Sequence, residues 1–338
     1  MGVDHERRPV AETPQRSDQP LLVASAPRTG TTWVARALSV ADGATLINEP
    51  DNEWPNPFAL KAKLSLGQYP VLEEGDRAPF DYDRLWERAF AGFRPPRFRT
   101  AAARRLGGER ANADLWRALC DHAGPRVSSR LRLLMLGARP PSRRDPRAKG
   151  PVVVKSVHAP LALGWVAARF RPRVVVVLRH PMNVIASWEE LGWGSCALET
   201  NPEVRRRFGA RWGLPELDPG ASRLERVAWQ VGLFTCALQA GLDVHGDWVA
   251  ISHESLSADP AGGFRNLYSQ LGLEWTDLAG AFLRESNRPG TGYSTFRVAA
   301  EQPGRWRRRL TPEQIREAWS VLSRIEAPWV ERIAGDLE

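Results

Sequence analysis

The segment Leu21-Leu22-Val23-Ala24-Ser25-Ala26-Pro27-Arg28-Thr29-Gly30-Thr31-Thr32-Trp33-Val34 constrains the fold more than any other stretch of the 338 residues. A short apolar run breaks at Pro27 and Gly30 and gives way to an apolar-periodic stretch with Thr as its cap. That pattern predicts strand, tight turn and helix N-terminus in succession. Such a junction gathers unpaired first-turn N–H groups at the positive end of the helix dipole, where an anion binds. It departs from the phosphate-loop pattern G-x-x-x-x-G-K-[ST], because Ser25 stands at the first Gly and Thr31 at the Lys. The long cation in the loop is Arg28. A loop built this way suits a phosphate-bearing ligand other than a magnesium-bound triphosphate.

Further βα units follow. A helix is predicted from about Thr31 to Ser39 and a strand over Ala44–Asn48, ending at Glu49-Pro50. Val runs at Pro151–Lys155 and Arg173–Leu178 are each followed by helical patterns, over Pro160–Phe170 and from Pro181 through Trp188. Helix Arg223–Ala240, strand Trp248–Ile251, helix Phe264–Leu271 and helix Thr311–Ile333 complete the pattern, the last opening on a capping box. Unbroken β-branched runs alternating with helices predict a parallel sheet covered on both faces. The fold class expected is α/β, a P-loop-like three-layer αβα arrangement with about five parallel strands. Residues 1–20 read as a disordered tail and 21–338 as a single domain. Residues 51–150, with helical patterns at Asp81–Gly92 and Asn112–Asp121 and a loop at Arg139–Lys149, read as a helical insertion shaping an acceptor site. Residues 192–221 read as a loop.

A formal charge of +8 and a pI near 10 invite a nucleic-acid reading. Yet Lys occurs only at Lys61, Lys63, Lys149 and Lys155, so the positive charge is nearly all Arg, which attracts anions in general. Cys120, Cys196 and Cys236 show no metal-ligand or redox spacing and read as free thiols. The opening residues are polar, without a signal-peptide pattern, and the apolar run Val174–Leu178 is too short to span a bilayer. The expectation is a cytoplasmic enzyme with no membrane or nucleic-acid partner.

Strand ends at one sheet edge would then deliver the loop with Arg28, then Glu49, Lys155 with His158, Arg179 and His253. An NTPase needs a carboxylate at a strand end for magnesium. Here two apolar strands end instead in Lys155 and Arg179, which favours an anion met by side chains without metal. Pro27-Arg28-Thr29-Gly30-Thr31-Thr32-Trp33 resembles the 5′-phosphosulfate loop of the sulfotransferases that use 3′-phosphoadenosine 5′-phosphosulfate (PAPS). Arg179-His180-Pro181-Met182-Asn183-Val184-Ile185-Ala186-Ser187-Trp188 resembles their second signature, whose Arg and Ser grip the 3′-phosphate. Glu301-Gln302-Pro303-Gly304-Arg305-Trp306-Arg307-Arg308-Arg309-Leu310-Thr311-Pro312 is similar to their C-terminal basic segment, with Arg307 the matching residue. His253-Glu254-Ser255-Leu256 stands where the family often carries Tyr-Glu-Asp-Leu, so that His253 replaces a Tyr near the adenine.

The resemblance implies PAPS as sulfuryl donor, with no metal, and in-line transfer to a hydroxyl or amine of a small-molecule or carbohydrate acceptor. It assigns donor binding to Arg28, Thr29, Gly30, Thr31, Thr32, Trp33, Arg179, Ser187, His253, Arg297 and Arg307. Trp33 either stacks on the adenine or belongs to the core. The catalytic set is Arg28 and Lys155 with one of two bases. Glu49 resembles the Glu after the second strand of carbohydrate-type enzymes. His158 follows Lys155-Ser156 much as a His follows Lys-Thr in cytosolic ones. Histidine's ordinary pKa of about 6.5 suits a base near neutrality, whereas a Glu needs raising by burial. The competing readings are a nucleotide-dependent P-loop kinase and a basic nucleic-acid-binding protein.

Overall fold

Strands buried on both faces need apolar side chains at every position rather than at alternate ones. The computed structural model describes residues 19–54, 56–95, 142–144, 150–290 and 296–337, and places the apolar runs of the sequence in one sheet. Its strands are β1 (Leu21–Ala24), β2 (Thr45–Asn48), β3 (Val152–Ser156), β4 (Arg173–Leu178) and β5 (Val249–Ser252). Every pairing is parallel and the order is β2-β3-β1-β4-β5. The connection leaving β1 runs one way to β2, and that leaving its neighbour β4 runs the other way to β5. Open α/β sheets bind ligands in the crevice at the carboxyl ends of such strands.

In chain order the helices are α1 (Thr31–Leu38), α2 (Pro57–Ala62), α3 (Phe80–Phe90), α4 (Leu163–Phe170), α5 (Pro181–Glu190) and α6 (Arg223–Val244). There follow α7 (His253–Ala258), α8 (Pro260–Gln270), α9 (Asp277–Ser286), α10 (Pro312–Leu322) and α11 (Pro328–Leu337). Leu22, Ala24, Val154, Val174 and Val176 form one face of the sheet and pack with Tyr82 and Trp86 of α3 and Val166 of α4. Leu21, Val23, Val153, Val175 and Val177 form the other, under Val34 of α1, Phe264 of α8 and Leu283 of α9. This period-two division gives the three layers. Each fully buried apolar side chain contributes about 1.5–3 kcal/mol.

A third core joins α5, α6 and α10 beside the sheet, through Ile185, Trp188, Val231, Phe234, Val321 and Leu322. Among the described residues α6 is the one helix long and apolar enough, by length and composition, to cross a membrane. In this fold its Val227, Val231 and Phe234 are packed inside that core.

The structure corrects several local expectations. The cap of α1 is Gly30 in the left-handed region (φ 94°), not a Thr side chain. The Thr29 hydroxyl instead donates to the Ala26 carbonyl (2.9 Å), and Thr31 is the first helical residue. The helix expected over Thr311–Ile333 is two helices, because Pro328 opens α11 and disfavours helical backbone before it. The stretch 192–221 is not only loop, since it carries short helical turns at Leu198–Thr200, Pro202–Val204 and Arg205–Gly209. Helix α6 runs four residues beyond Ala240, and α8 starts at Pro260. Helices α2, α7 and α9 have no counterpart in the sequence reading. Of the insertion, α2, α3 and an isolated bridge between Arg94 and Ser142 are described. Of the tail expected over 1–20, residues 1–18 lie outside the described residues, as do the helix at Asn112–Asp121, Cys120 and most of the Arg139–Lys149 loop, while Gln19 and Pro20 hydrogen-bond to Arg171 and Arg173.

Candidate active site

The β1–α1 turn is held in a demanding conformation. Arg28 has φ 72° and Gly30 φ 94°, and a Cβ on Gly30 would lie 2.2 Å from Cδ2 of His253. Arg28 therefore sits in a region that non-glycine residues visit at a cost of about 1–3 kcal/mol, and its neighbours hold it there. Its carbonyl accepts from Nη1 of Arg179 (2.7 Å), and its Nε donates to Oγ of Ser187 (3.0 Å). The hydroxyl of Ser25 donates to the Val177 carbonyl, and Nε1 of Trp188 donates to the Pro27 carbonyl (3.2 Å). Thus the end of β1, the end of β4 and the second turn of α5 are one interlocked unit.

This unit opens on a cavity of about 1330 Å³ at the carboxyl edge of the sheet. Gly30, Thr31 and Thr32 line it at the N-terminus of α1, where first-turn amides have no helical carbonyl partner. Arg28, Arg179, Arg297, Arg305 and Arg309 line it too. Burial draws the pKa of Arg179 down to about 10; Glu254 opposes this, and Arg28, Arg309 and Arg305 add to it. Burial also lowers Arg297 and Arg309; Arg28 and then Arg305 add to it for Arg297, Arg305 and Arg297 for Arg309, and Glu190, 2.9 Å from Arg309, opposes it in both. Guanidiniums that depress one another in this way form a site that an anion relieves. Nε of Arg179 and Nδ1 of His253 are buried without a hydrogen-bond partner. Burial, followed by the charge of Arg179, pushes His253 down to about 3, so its imidazole is neutral.

Trp33 lines the same end. Its indole N–H donates to Oγ of Ser286 (3.0 Å), and its ring meets Phe264 edge-on at 4.9 Å and His253 at 6.1 Å. Thr29 does not line the cavity, its hydroxyl being used within the turn. Neither does Arg307, whose guanidinium lies 4.4 Å from the Trp306 ring and donates to the Asp336 carbonyl. Arg305 and Arg309 take its place, because the buried Trp306 sets the phase of the turn. The single signal for this in the sequence is that Trp.

The other end of the cavity lies beyond β2 and β3. The register pairs Asn48 with Lys155, and this brings the next residue, Glu49, against the Lys155 ammonium. Glu49 is left-handed (φ 49°), and its second oxygen accepts from Nδ2 of Asn52 (2.7 Å). Burial raises its pKa, but the charges of Lys155 and His158 and these hydrogen bonds outweigh that and hold it at about 2. Glu49 therefore lies below the ordinary carboxylate range, the opposite of the raising that a base near neutrality needs. His158 is buried and stacks on Tyr69 at 5.6 Å. Its Nδ1 has no hydrogen-bond partner and lies 3.9 Å from Oε2 of Glu53, which is paired with Lys63 (2.6 Å). Burial, then Lys63, lowers its pKa below 6.5, so it is neutral at neutral pH. Trp54 and Tyr69, not singled out by sequence reasoning, line this end, as does Cys196, read there only as a free thiol.

The sulfotransferase family model matches residues 20–277 of the chain. No curated protein matches it. Among solved structures it is similar to the sulfotransferase domain from the curacin biosynthetic pathway, at 14% identity over 90% of this chain and 97% of that one, with a TM-score of 0.43. It is also similar to mouse sulfotransferase SULT7A1 complexed with PAP, at 14% identity over 96% and 90% of the two chains, with a TM-score of 0.44. Sulfotransferase STF9 from Mycobacterium avium follows at 14% identity over 90% and 76%, with a TM-score of 0.40. With more than half its length matched by that family model, the chain belongs to the sulfotransferase family.

Proposed function

We propose that the chain moves the sulfuryl group of PAPS to a hydroxyl or amine of a small-molecule or carbohydrate acceptor. The observation that carries this reading is the self-repelling guanidinium cluster at the ends of β1 and β4. It suits a ligand with two separate anionic ends. In this reading Arg179 and Ser187 take the 3′-phosphate, with Arg297, Arg305 and Arg309 around it. Arg28 and the first-turn amides of α1 take the 5′-phosphosulfate, and His253 and Trp33 border the adenine.

During transfer an acceptor oxygen or nitrogen bonds to sulfur as the bond from sulfur to the 5′-phosphate breaks. The leaving nucleotide, 3′-phosphoadenosine 5′-phosphate (PAP), keeps that electron pair, and Arg28 and the amides stabilise the added charge. Of the two bases the geometry favours His158. Both line the cavity, but Glu49 has both oxygens engaged and holds its proton weakly, whereas His158 is neutral with its Nδ1 unpartnered. Glu49 then acts as the counter-ion that fixes Lys155. The acceptor lies between the 52–69 and 192–196 segments.

The test is a thermal-shift titration followed by turnover with labelled PAPS. Stabilisation by PAP in chelator-treated buffer, and none by Mg-ATP, supports the reading. Stabilisation by Mg-ATP alone overturns it in favour of a kinase, and affinity for duplex DNA alone in favour of nucleic-acid binding.

A further inference from the structure

Arg305 and Arg309 reach the cavity from a single short turn, Arg305–Arg308, and the residue following it. No sheet hydrogen bonds hold this turn. A buried side-chain amide does, together with the buried Trp306 ring and the ion pair of Arg309 with Glu190 (2.9 Å). Asn183, 2% exposed and in the first turn of α5, accepts at Oδ1 from the backbone N–H of Trp306 (3.1 Å). Its Nδ2 donates to Oε1 of Glu254 (3.0 Å), and that oxygen also accepts from the backbone N–H of His180 (3.1 Å). The other Glu254 oxygen accepts from Oγ of Ser252 (3.3 Å). The Trp306 ring stacks on His180 at 5.6 Å and 14°, and Nε2 of His180 lies 3.3 Å from Oδ2 of Asp336.

An amide suits this position because it offers a donor and an acceptor on one small planar group. Alanine there would leave the buried Trp306 N–H without its partner and half-buried Glu254 short of one donor. The anchor also works against a load. Arg305 lies among Arg179, Arg297 and Arg309, each of which its charge disfavours, and Glu190, paired with Arg309 (2.9 Å), offsets part of that repulsion.

We propose that Asn183 is a positioning residue for the nucleotide end of the cavity. By joining Glu254 at the start of α7 to the Trp306 amide, it holds the basic turn so that Arg305 and Arg309 enter the cavity together. Asn183 does not line the cavity itself, so it acts through the turn. The inference rests on the reading that this end takes PAPS, but the anchor is measurable without any nucleotide.

The experiment compares wild type with Asn183→Ala by hydrogen exchange of the free protein and by PAP titration. Exchange over residues 304–310 rises while that of α6 stays unchanged. The Kd for PAP rises about tenfold, as expected for a buried hydrogen bond removed with its partner left behind. At saturating donor, kcat stays within about twofold of wild type, which separates positioning from chemistry. In an Arg305→Ala/Arg309→Ala background the effect of Asn183→Ala on Kd shrinks below about twofold, since the two act as one unit. If Asn183→Ala does not fold, Asn183→Asp keeps the acceptor for Trp306, sets a second carboxylate against Glu254, and raises both exchange and Kd. Unchanged exchange over 304–310, or a full Kd effect in the double-arginine background, overturns the proposal. Wild-type protein that binds no PAP overturns the donor reading instead, and the exchange result then still supports or overturns the anchor.

Discussion

Replacing Glu49 by Gln separates a structural counter-ion from a catalytic base. Lys155 is 3% exposed and Glu49 20%, so solvent screens the pair little. The carboxyl is held from its ordinary 4.5 down to about 2, although burial alone pushes it the other way. At about 1.4 kcal/mol per pH unit, that difference corresponds to about 3 kcal/mol of folding stability. The same figure falls at the lower end of what removing one partner of a buried pair costs, about 3–5 kcal/mol. Because the folded-state pKa lies below the ordinary value, the contribution is complete above about pH 5 and is lost as pH falls toward 2. With an unfolding entropy of about 2.1 cal/mol/K per residue, 3 kcal/mol in a chain of 338 residues is a Tm loss of about 4 °C. Scanning calorimetry of wild type and Glu49→Gln at a series of pH values measures it. The Tm difference stays constant from about pH 8 to 5 and narrows toward pH 3, while Glu49→Gln retains measurable turnover. A difference under about 1 °C at neutral pH, or one undiminished at pH 3, refutes the argument.

Arg179→Ala removes the guanidinium that ties the β4 end to the Arg28 carbonyl, and weakens PAP binding by about 2–3 kcal/mol, or 30- to 150-fold. An unchanged Kd in calorimetric titration removes Arg179 from the site. His158→Asn lowers kcat by about 10²- to 10⁴-fold with PAP affinity retained. In the wild type, kcat/KM rises with pH through a pKa below 6.5 and is flat above it, because the neutral imidazole is the active form. A profile without that limb assigns the proton transfer elsewhere. Gly30→Ala destabilises the fold and weakens PAP binding, since the new Cβ meets His253 at 2.2 Å. Adding His253→Ala recovers part of the lost Tm but not all, because φ 94° still disfavours alanine. Full recovery, or none, sinks this account.

The sheet was legible because Val152–Ser156 and Arg173–Leu178 are unbroken β-branched runs, and nothing but a doubly covered strand uses such a run economically. That Arg179 and Ser187 share one cavity was legible, since a residue eight places after Arg179 lies in the second turn of the following helix; the hydrogen bond from Arg28 to Ser187 was not. The pairing of Glu49 with Lys155 was not. It depends on β2 lying beside β3 with Asn48 opposite Lys155, and neighbour and register are properties of the assembled sheet. The same holds for Asn183 and Trp306, which are 123 residues apart and meet only through the third core. Arg307 was singled out by its match to the family's basic segment, and the run has no periodicity of its own from which to read that Arg305 and Arg309 line the cavity while Trp306 is buried. Pro328 was visible as a helix breaker, but the apolar spacing ran through it and masked the break.

The central position of β1 bears on how the chain is made. Leu21–Ala24 has β3 on one side and β4 on the other, and neither exists until residues 152–156 and 173–178 have been synthesised. At about 5–20 residues per second, the ribosome adds the intervening residues in on the order of 10 s. Through that interval the most apolar strand of the protein has two open edges and no permanent neighbour, the circumstance in which nascent chains stick to one another or to a chaperone. Slower growth at reduced temperature, with holdase capacity in excess, is therefore the regime in which this polypeptide reaches its native state in highest yield.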